Sequence, residues 1–253
     1  MRNHEHTEIG GIRGPFPTTH WSMLGAVQGS MTESHQAVLN LLIQRYWKPV
    51  YCYIRRKGRG NEDAKDLAQD FFTSWLAKDL FGRADPSRGR FRALLLSSRD
   101  NFLSNANRAS RAKRRQPAVG IVSLDTIAED KNFRFEPSDN ETPEGVFVRV
   151  WIRELLMRVL ASLDQECQET GKQVHFQLFQ QCIVQPALEG KSPPSLDELA
   201  RSLNLSPKEA SNRLITARRA YQRLLREEIG MFASSEEDVA AEVHDLFRFL
   251  SEM

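Results

Sequence analysis

The amino-acid sequence predicts an all-α protein of two small helical domains joined by an acidic linker. Three observations carry that reading. Apolar residues recur at helical spacing in segment after segment, and no long segment alternates with the period of two that marks a strand. Between the helical segments lies a stretch rich in acid, Pro and Asn that matches neither period. A length of 253 residues allows one large domain or two small ones, and 40% apolar residues suffices to build real cores.

Residues 1–17 are polar and broken by Gly and Pro, so they read as a loose tail. The first domain is expected over 18–116. Helical periodicity begins near His20–Gln28 and strengthens over Gln36–Tyr46, where Val38, Leu41, Leu42 and Tyr46 share a face. Pro49 is expected in the first turn of a new helix, where its missing amide costs nothing. Val50, Tyr53 and Ile54 continue an apolar face there, and Gly58–Gly60 ends the element.

The next segment, NEDAKDLAQDFFTSWL, places Ala64, Leu67, Ala68, Phe71, Trp75 and Leu76 on one buried stripe. Asn61 is the expected N-cap, with Glu62 and Asp63 in the first turn, where the helix dipole favours negative charge. The opposite face carries Asp63, Asp66, Gln69, Asp70 and Thr73. A turn-like FGRADPSRGR then leads to a helix from about Phe91 to Arg115.

The net charge of +2 hides a strong asymmetry. Arg88, Arg90, Arg92, Arg99, Arg108, Arg111, Lys113, Arg114 and Arg115 face one acid, Asp100, whereas the acids dominate from Pro117 to Glu144. A polyanion-binding surface followed by an acidic connector fits this pattern. In the basic helix, Arg99, Arg108, Arg111 and Arg114 suit phosphates, Asn101 is a polar reader, and Phe91 and Phe102 either stack on bases or, the reading preferred here, join the core with Leu94 and Leu95. The linker is expected over 117–146, with a short strand-like patch, VSLDTI.

The second domain is expected over 147–230, with helices at Val146–Leu163, Val174–Val184 and Ser195–Glu228. Its last block contains two capping boxes in tandem, Ser195 with Glu198 and Ser206 with Glu209, the second with Pro207 at its first position. Asn204 between them tolerates a left-handed backbone. Leu199, Leu203, Leu205, Ala210, Leu214, Ala217 and Tyr221 form a shared apolar seam, and Ala200 is small where the helices must approach. Two short-linked helices, the second long and basic, describe a DNA-binding helix-turn-helix. Lys208, Ser211, Asn212, Arg213, Thr216, Arg218 and Arg219 suit phosphate oxygens and base edges. The competing reading is a helical hairpin used only for packing.

Taken in order, these segments resemble extracytoplasmic-function (ECF) sigma factors of bacterial RNA polymerase. DAKDLAQDFF is similar to the acidic motif of their region two, ADPSRGRFRALLL to the segment after it, and LDELARSLNLSPKEASNRLITARR to the helix-turn-helix of region four. The resemblance covers roughly 18–116 and 147–229. It implies that Asp63, Asp66, Gln69 and Asp70 dock on the clamp helices of the polymerase β′ subunit, with the β flap as a second contact. A negative helix face against a basic partner serves steering and register more than raw affinity. The resemblance further implies that the basic helix meets the promoter minus-ten element, that region four meets the minus-thirty-five element, that the acidic linker follows the RNA exit path, and that an anti-sigma factor is a potential partner. Lys65 stands where the family has Glu, and Leu94 where many members have Trp. Asn204, Glu209, Ala210, Ser211 and Thr216 replace commoner region-four residues, and CIVQPALEGKSPP is longer than usual.

Two other readings compete. Asp63, Asp66 and Asp70 at helical spacing suit magnesium in an all-α transferase, but no second carboxylate cluster faces them. A helix-turn-helix regulator independent of polymerase needs 36–116 as a sensor or dimerisation domain. His20, His35, His175 and His244 have neither metal nor triad spacing, and Cys52, Cys167 and Cys182 suggest neither a disulfide framework nor a zinc site. No catalytic residue, metal or cofactor is therefore expected. MRNHEHTEIGG lacks a signal peptide's apolar core, and no apolar run approaches ~18 residues, so a cytoplasmic chain without membrane insertion is expected. The extension 231–253 is expected to form a helix capped by Ser234 and Glu237, with Val239, Val243, Leu246, Phe247 and Leu250 on one face, that packs on the body or acts as a brake.

Overall fold

A computed structural model describes residues 33–77, 95, 98, 102, 141–231 and 235–251. Every regular element among them is a helix. The N-terminal tail, the segment around 20–28, most of the basic helix and the linker up to residue 140 lie outside the described residues.

Helix α1 spans Glu33–Arg56 and α2 spans Asn61–Ala77. Val50 to Ile54 are all buried, so α1 has no solvent side there and sits centrally, packed against α2 and most extensively against α3, Pro143–Glu169. That packing corrects the break expected at Pro49. The proline is buried inside one continuous 24-residue helix. It costs the amide that would reach the Arg45 carbonyl, yet burial on both sides holds the helix together. At the end of α1, Gly58 takes a φ of 87° in open space, so backbone conformation and not crowding favours glycine.

Asn61 is not the cap of α2. The Ala64 amide bonds to the Gly60 carbonyl at 2.9 Å, which makes Asn61 the first helical residue. Its side chain instead accepts from the Tyr51 hydroxyl at 2.7 Å, tying α2 to α1. Ala64, Ala68, Phe71 and Trp75 are buried as expected, and Phe72 is buried beside them. Leu95 is buried and Phe102 meets Phe71 edge-on at 5.6 Å between ring centres, so both belong to the core.

Helix α3 begins three residues before its expected start because Thr142 caps it, its hydroxyl accepting from the Gly145 amide at 3.1 Å with Pro143 just inside. The helix expected over Val174–Val184 is two pieces, α4, Gln173–Phe179, and a π-helical turn, Gln180–Val184, and the run continues past its expected end into α5, Gln185–Glu189, closed by Gly190 at φ 62°. Pro186 has no amide to offer the Cys182 carbonyl, and the ladder widens just before it. Helix α6, Leu196–Ser202, α7, Pro207–Gly230, and α8, Glu236–Ser251, follow. Helix α8 is capped one residue later than expected, the Ser235 hydroxyl accepting from the Asp238 amide at 3.1 Å.

Two apolar clusters result. The first joins α1 and α2 to Val146–Val159 of α3, Leu225 and Ile229 of α7, and Leu246 of α8. The second gathers Leu163 and Cys167 of α3, Leu178 and Phe179 of α4, Ala200 of α6, and Ala210, Leu214 and Ala217 of α7. Helices α3 and α7 thus serve both clusters, and residues on the two sides of the expected linker share one core. Among the described residues, no helix is long and apolar enough to cross a membrane.

Candidate nucleic-acid and protein interfaces

The α6–α7 unit is built by local chemistry. Leu203 closes α6, Asn204 turns the chain at φ 54°, and the Leu205 amide returns to the Ala200 carbonyl at 2.8 Å. The Ser206 hydroxyl accepts from the Glu209 amide while the Glu209 carboxylate accepts from the Ser206 amide at 2.9 Å, a complete capping box. The Ser206 amide bond holds the Glu209 carboxyl below its ordinary value. The box expected at Ser195 does not form, since Ser195 makes no side-chain cap bond. Ala200 and Ala210 are fully buried, which lets the two helices approach closely.

Helix α7 then divides its surface by angle. Ala210, Leu214, Ala217, Leu225 and Ile229 face inward. Lys208, Asn212, Ile215, Arg219, Gln222 and Arg226 recur at steps of four and three and are all exposed, one outward stripe along the helix. The remaining candidates flank it. Ser211 and Arg213 are half-buried, and Arg218 is exposed. Burial pushes the Cys182 thiol up, and nearby Arg218 draws it partly back. On α4, burial first, then Arg213 and Lys172, hold the His175 imidazole below its usual value. Thr216 spends its hydroxyl on the Asn212 carbonyl at 2.9 Å.

On α2, Asp63, Asp66 and Asp70 are exposed and Gln69 is partly exposed, its carbonyl accepting from the Thr73 hydroxyl at 2.8 Å. Lys65 bonds Glu62 at 3.1 Å, an exposed ion pair at the start of the helix. Arg99, Asn101, Arg108, Arg111 and Arg114 lie outside the described residues. Among the described residues, no cluster of three or more His, Cys, Asp or Glu side chains forms a metal site.

Sequence reasoning missed an ionic junction between helices. Glu228 of α7 accepts from Arg45 of α1 through one carboxylate oxygen and from Arg158 of α3 through the other, each at 2.9 Å. Arg45 also reaches the Met231 sulfur at 2.9 Å, and burial lowers its pKa. Lys48 pairs with Glu154 at 3.0 Å nearby, and Arg149 grips Glu141 with two nitrogens, at 3.0 and 2.8 Å. Ile215, an exposed apolar residue on the outward stripe, carries no charge signal in the sequence. No protein-family model matches the chain, and no curated protein or solved structure is significantly similar to it.

Proposed function

We propose that the chain is a sigma-type initiation factor, which binds core bacterial RNA polymerase and directs it to promoters. The observation that carries the reading is the α6–α7 unit, a tight Asn204 turn followed by a capped helix whose outward stripe presents Lys208, Asn212, Arg219 and Arg226. Helix N-termini and cations suit phosphates, and Asn and Arg suit base edges. The exposed carboxylates of α2 add a second surface of opposite sign, suited to a basic protein partner. The motif order along the chain supports assigning that partner as the polymerase clamp.

A helix-turn-helix regulator that never meets polymerase uses the same α6–α7 unit and leaves the acidic face of α2 without a role. Core polymerase passed over the immobilised chain separates the two. Retention, together with run-off transcription from genomic promoters by the reconstituted enzyme, is the expected result. A folded chain that binds promoter DNA but neither retains polymerase nor supports transcription defeats the sigma reading.

A further inference from the structure

Ile215 is 42% exposed in the middle of the outward stripe of α7, between Asn212 and Arg219. Its neighbours on that face are polar or charged, and its own helix buries its apolar residues on the other side. Among the described residues, Ile215 belongs to neither apolar cluster. Resting on the DNA-binding part of the proposed function, we propose that Ile215 is a specificity residue that contacts the C5-methyl group of thymine in the major groove, beside an adenine held by Asn212.

The geometry supports the assignment step by step. Lys208 and Ile215, with Asn212 between them, are seven residues apart, about 10 Å of helix at 1.5 Å per residue, which fits a major groove about 12 Å wide. Arg219 lies about one further turn along and reaches the groove wall, where it meets phosphate. Asn212 is exposed and can offer an amide donor and acceptor together, the pattern that adenine N7 and N6 complete. Thr216 turns its hydroxyl back to the Asn212 carbonyl, which leaves its methyl group as the remaining contact surface. Glu209, which would otherwise select cytosine, is held by Ser206 through both the amide and the hydroxyl. The stripe therefore offers an A·T-directed reading pattern in which apolar contact replaces one hydrogen bond. A free methyl is present on thymine and absent from uracil, so the chemistry has a single-atom probe.

The test uses the full chain and a randomised duplex pool, enriched at about 50 mM salt, where phosphate contacts are strong. The enriched site is resynthesised with each thymine replaced singly by deoxyuridine. One replacement should weaken binding about fourfold, the effect of losing one buried methyl. Ile215→Ala should weaken the thymine site similarly and be indifferent to uracil there, while Ile215→Val should retain the discrimination. Because Ile215 is exposed, circular dichroism should show all three proteins folded alike. An enriched site that responds identically to thymine and uracil in every protein overturns the assignment and leaves DNA binding standing. Failure to enrich any duplex overturns both, and polymerase retention is scored separately. Equal loss of polymerase retention and no loss of DNA binding in Ile215→Ala would make Ile215 a protein contact and also overturn it.

Discussion

Arg45 and Glu228 stand 183 residues apart in sequence and meet at 2.9 Å, with the guanidinium buried between α1 and α7. Removing one member of a buried pair strands the other's charge. Glu228→Ala should therefore lower unfolding stability by about 3–5 kcal/mol. The double replacement Arg45→Met with Glu228→Leu should recover most of that loss, because apolar packing matches a buried ion pair. Urea titration of the three proteins checks this, and a double variant as unstable as Glu228→Ala would show that Arg158 needs the carboxylate more than Arg45 does.

Binding to core polymerase should depend on the exposed face of α2. Asp66→Arg with Gln69→Ala should reduce retention at least tenfold, with an unchanged melting curve, because neither side chain lies on the buried stripe of Ala64, Ala68, Phe71 and Trp75. Unaltered retention by a folded double variant would remove α2 from the interface.

Salt dependence separates the arginines of α7. Arg219→Ala should flatten the slope of log affinity against log salt by about 0.9, the loss of one phosphate contact. Arg218→Ala should flatten it as well, since that side chain is exposed beside the stripe. Arg213→Ala should change the slope less, since that side chain is half-buried beside His175. Titrations of promoter binding by the holoenzyme at several salt concentrations provide the comparison.

The helices most legible in the sequence were those whose signals are local. Asn204, Pro207, Ser206 and Glu209 lie within six residues and give the α6–α7 turn almost unaided. Pro49 misled because centrality outweighs propensity: α1 is gripped by α2 and α3, so a missing amide does not end it. Phe72 is absent from the expected stripe of α2, because a one-faced pattern does not register a helix buried on a wider arc. Ser195 has the right partner at the right spacing, yet forms no cap, which spacing alone cannot reveal. The sharing of α3 and α7 between two clusters is a long-range property with no periodic trace.

Helix α8 should act as packing and not as a brake. Leu246 is buried in the cluster that holds α1 and α2, and Val239 and Val243 pack against the same cluster. Leu246→Ala should cost about 2–5 kcal/mol. Truncation after Gly230 should lower the melting temperature without raising transcription. A shortened chain that transcribes more strongly would restore the brake.

Stability should fall in mild acid through His175. Its pKa is lowered in the folded chain, chiefly by burial, so the unfolded chain binds the proton more readily. The contribution is complete above the ordinary imidazole value of about 6.5 and is lost as pH drops below it. His175→Gln should flatten the fall in melting temperature across that range, and an identical profile in both proteins would assign the acid sensitivity elsewhere.

Because α7 is one unbroken helix, its two ends are geared together. The bearing of the outward stripe is fixed twice, by Ala210, Leu214 and Ala217 in the second cluster and by Leu225 and Ile229 in the first. Inserting one residue between Arg219 and Ala220 would put the two sets of buried residues about 100° out of phase, so that one cluster must give way. Inserting seven would restore the phase to within about 20° while setting the two groups about 10 Å farther apart. The length of this helix is thus quantised: it keeps its aim only when it grows or shrinks by close to a whole number of turns, about seven or eleven residues at a time.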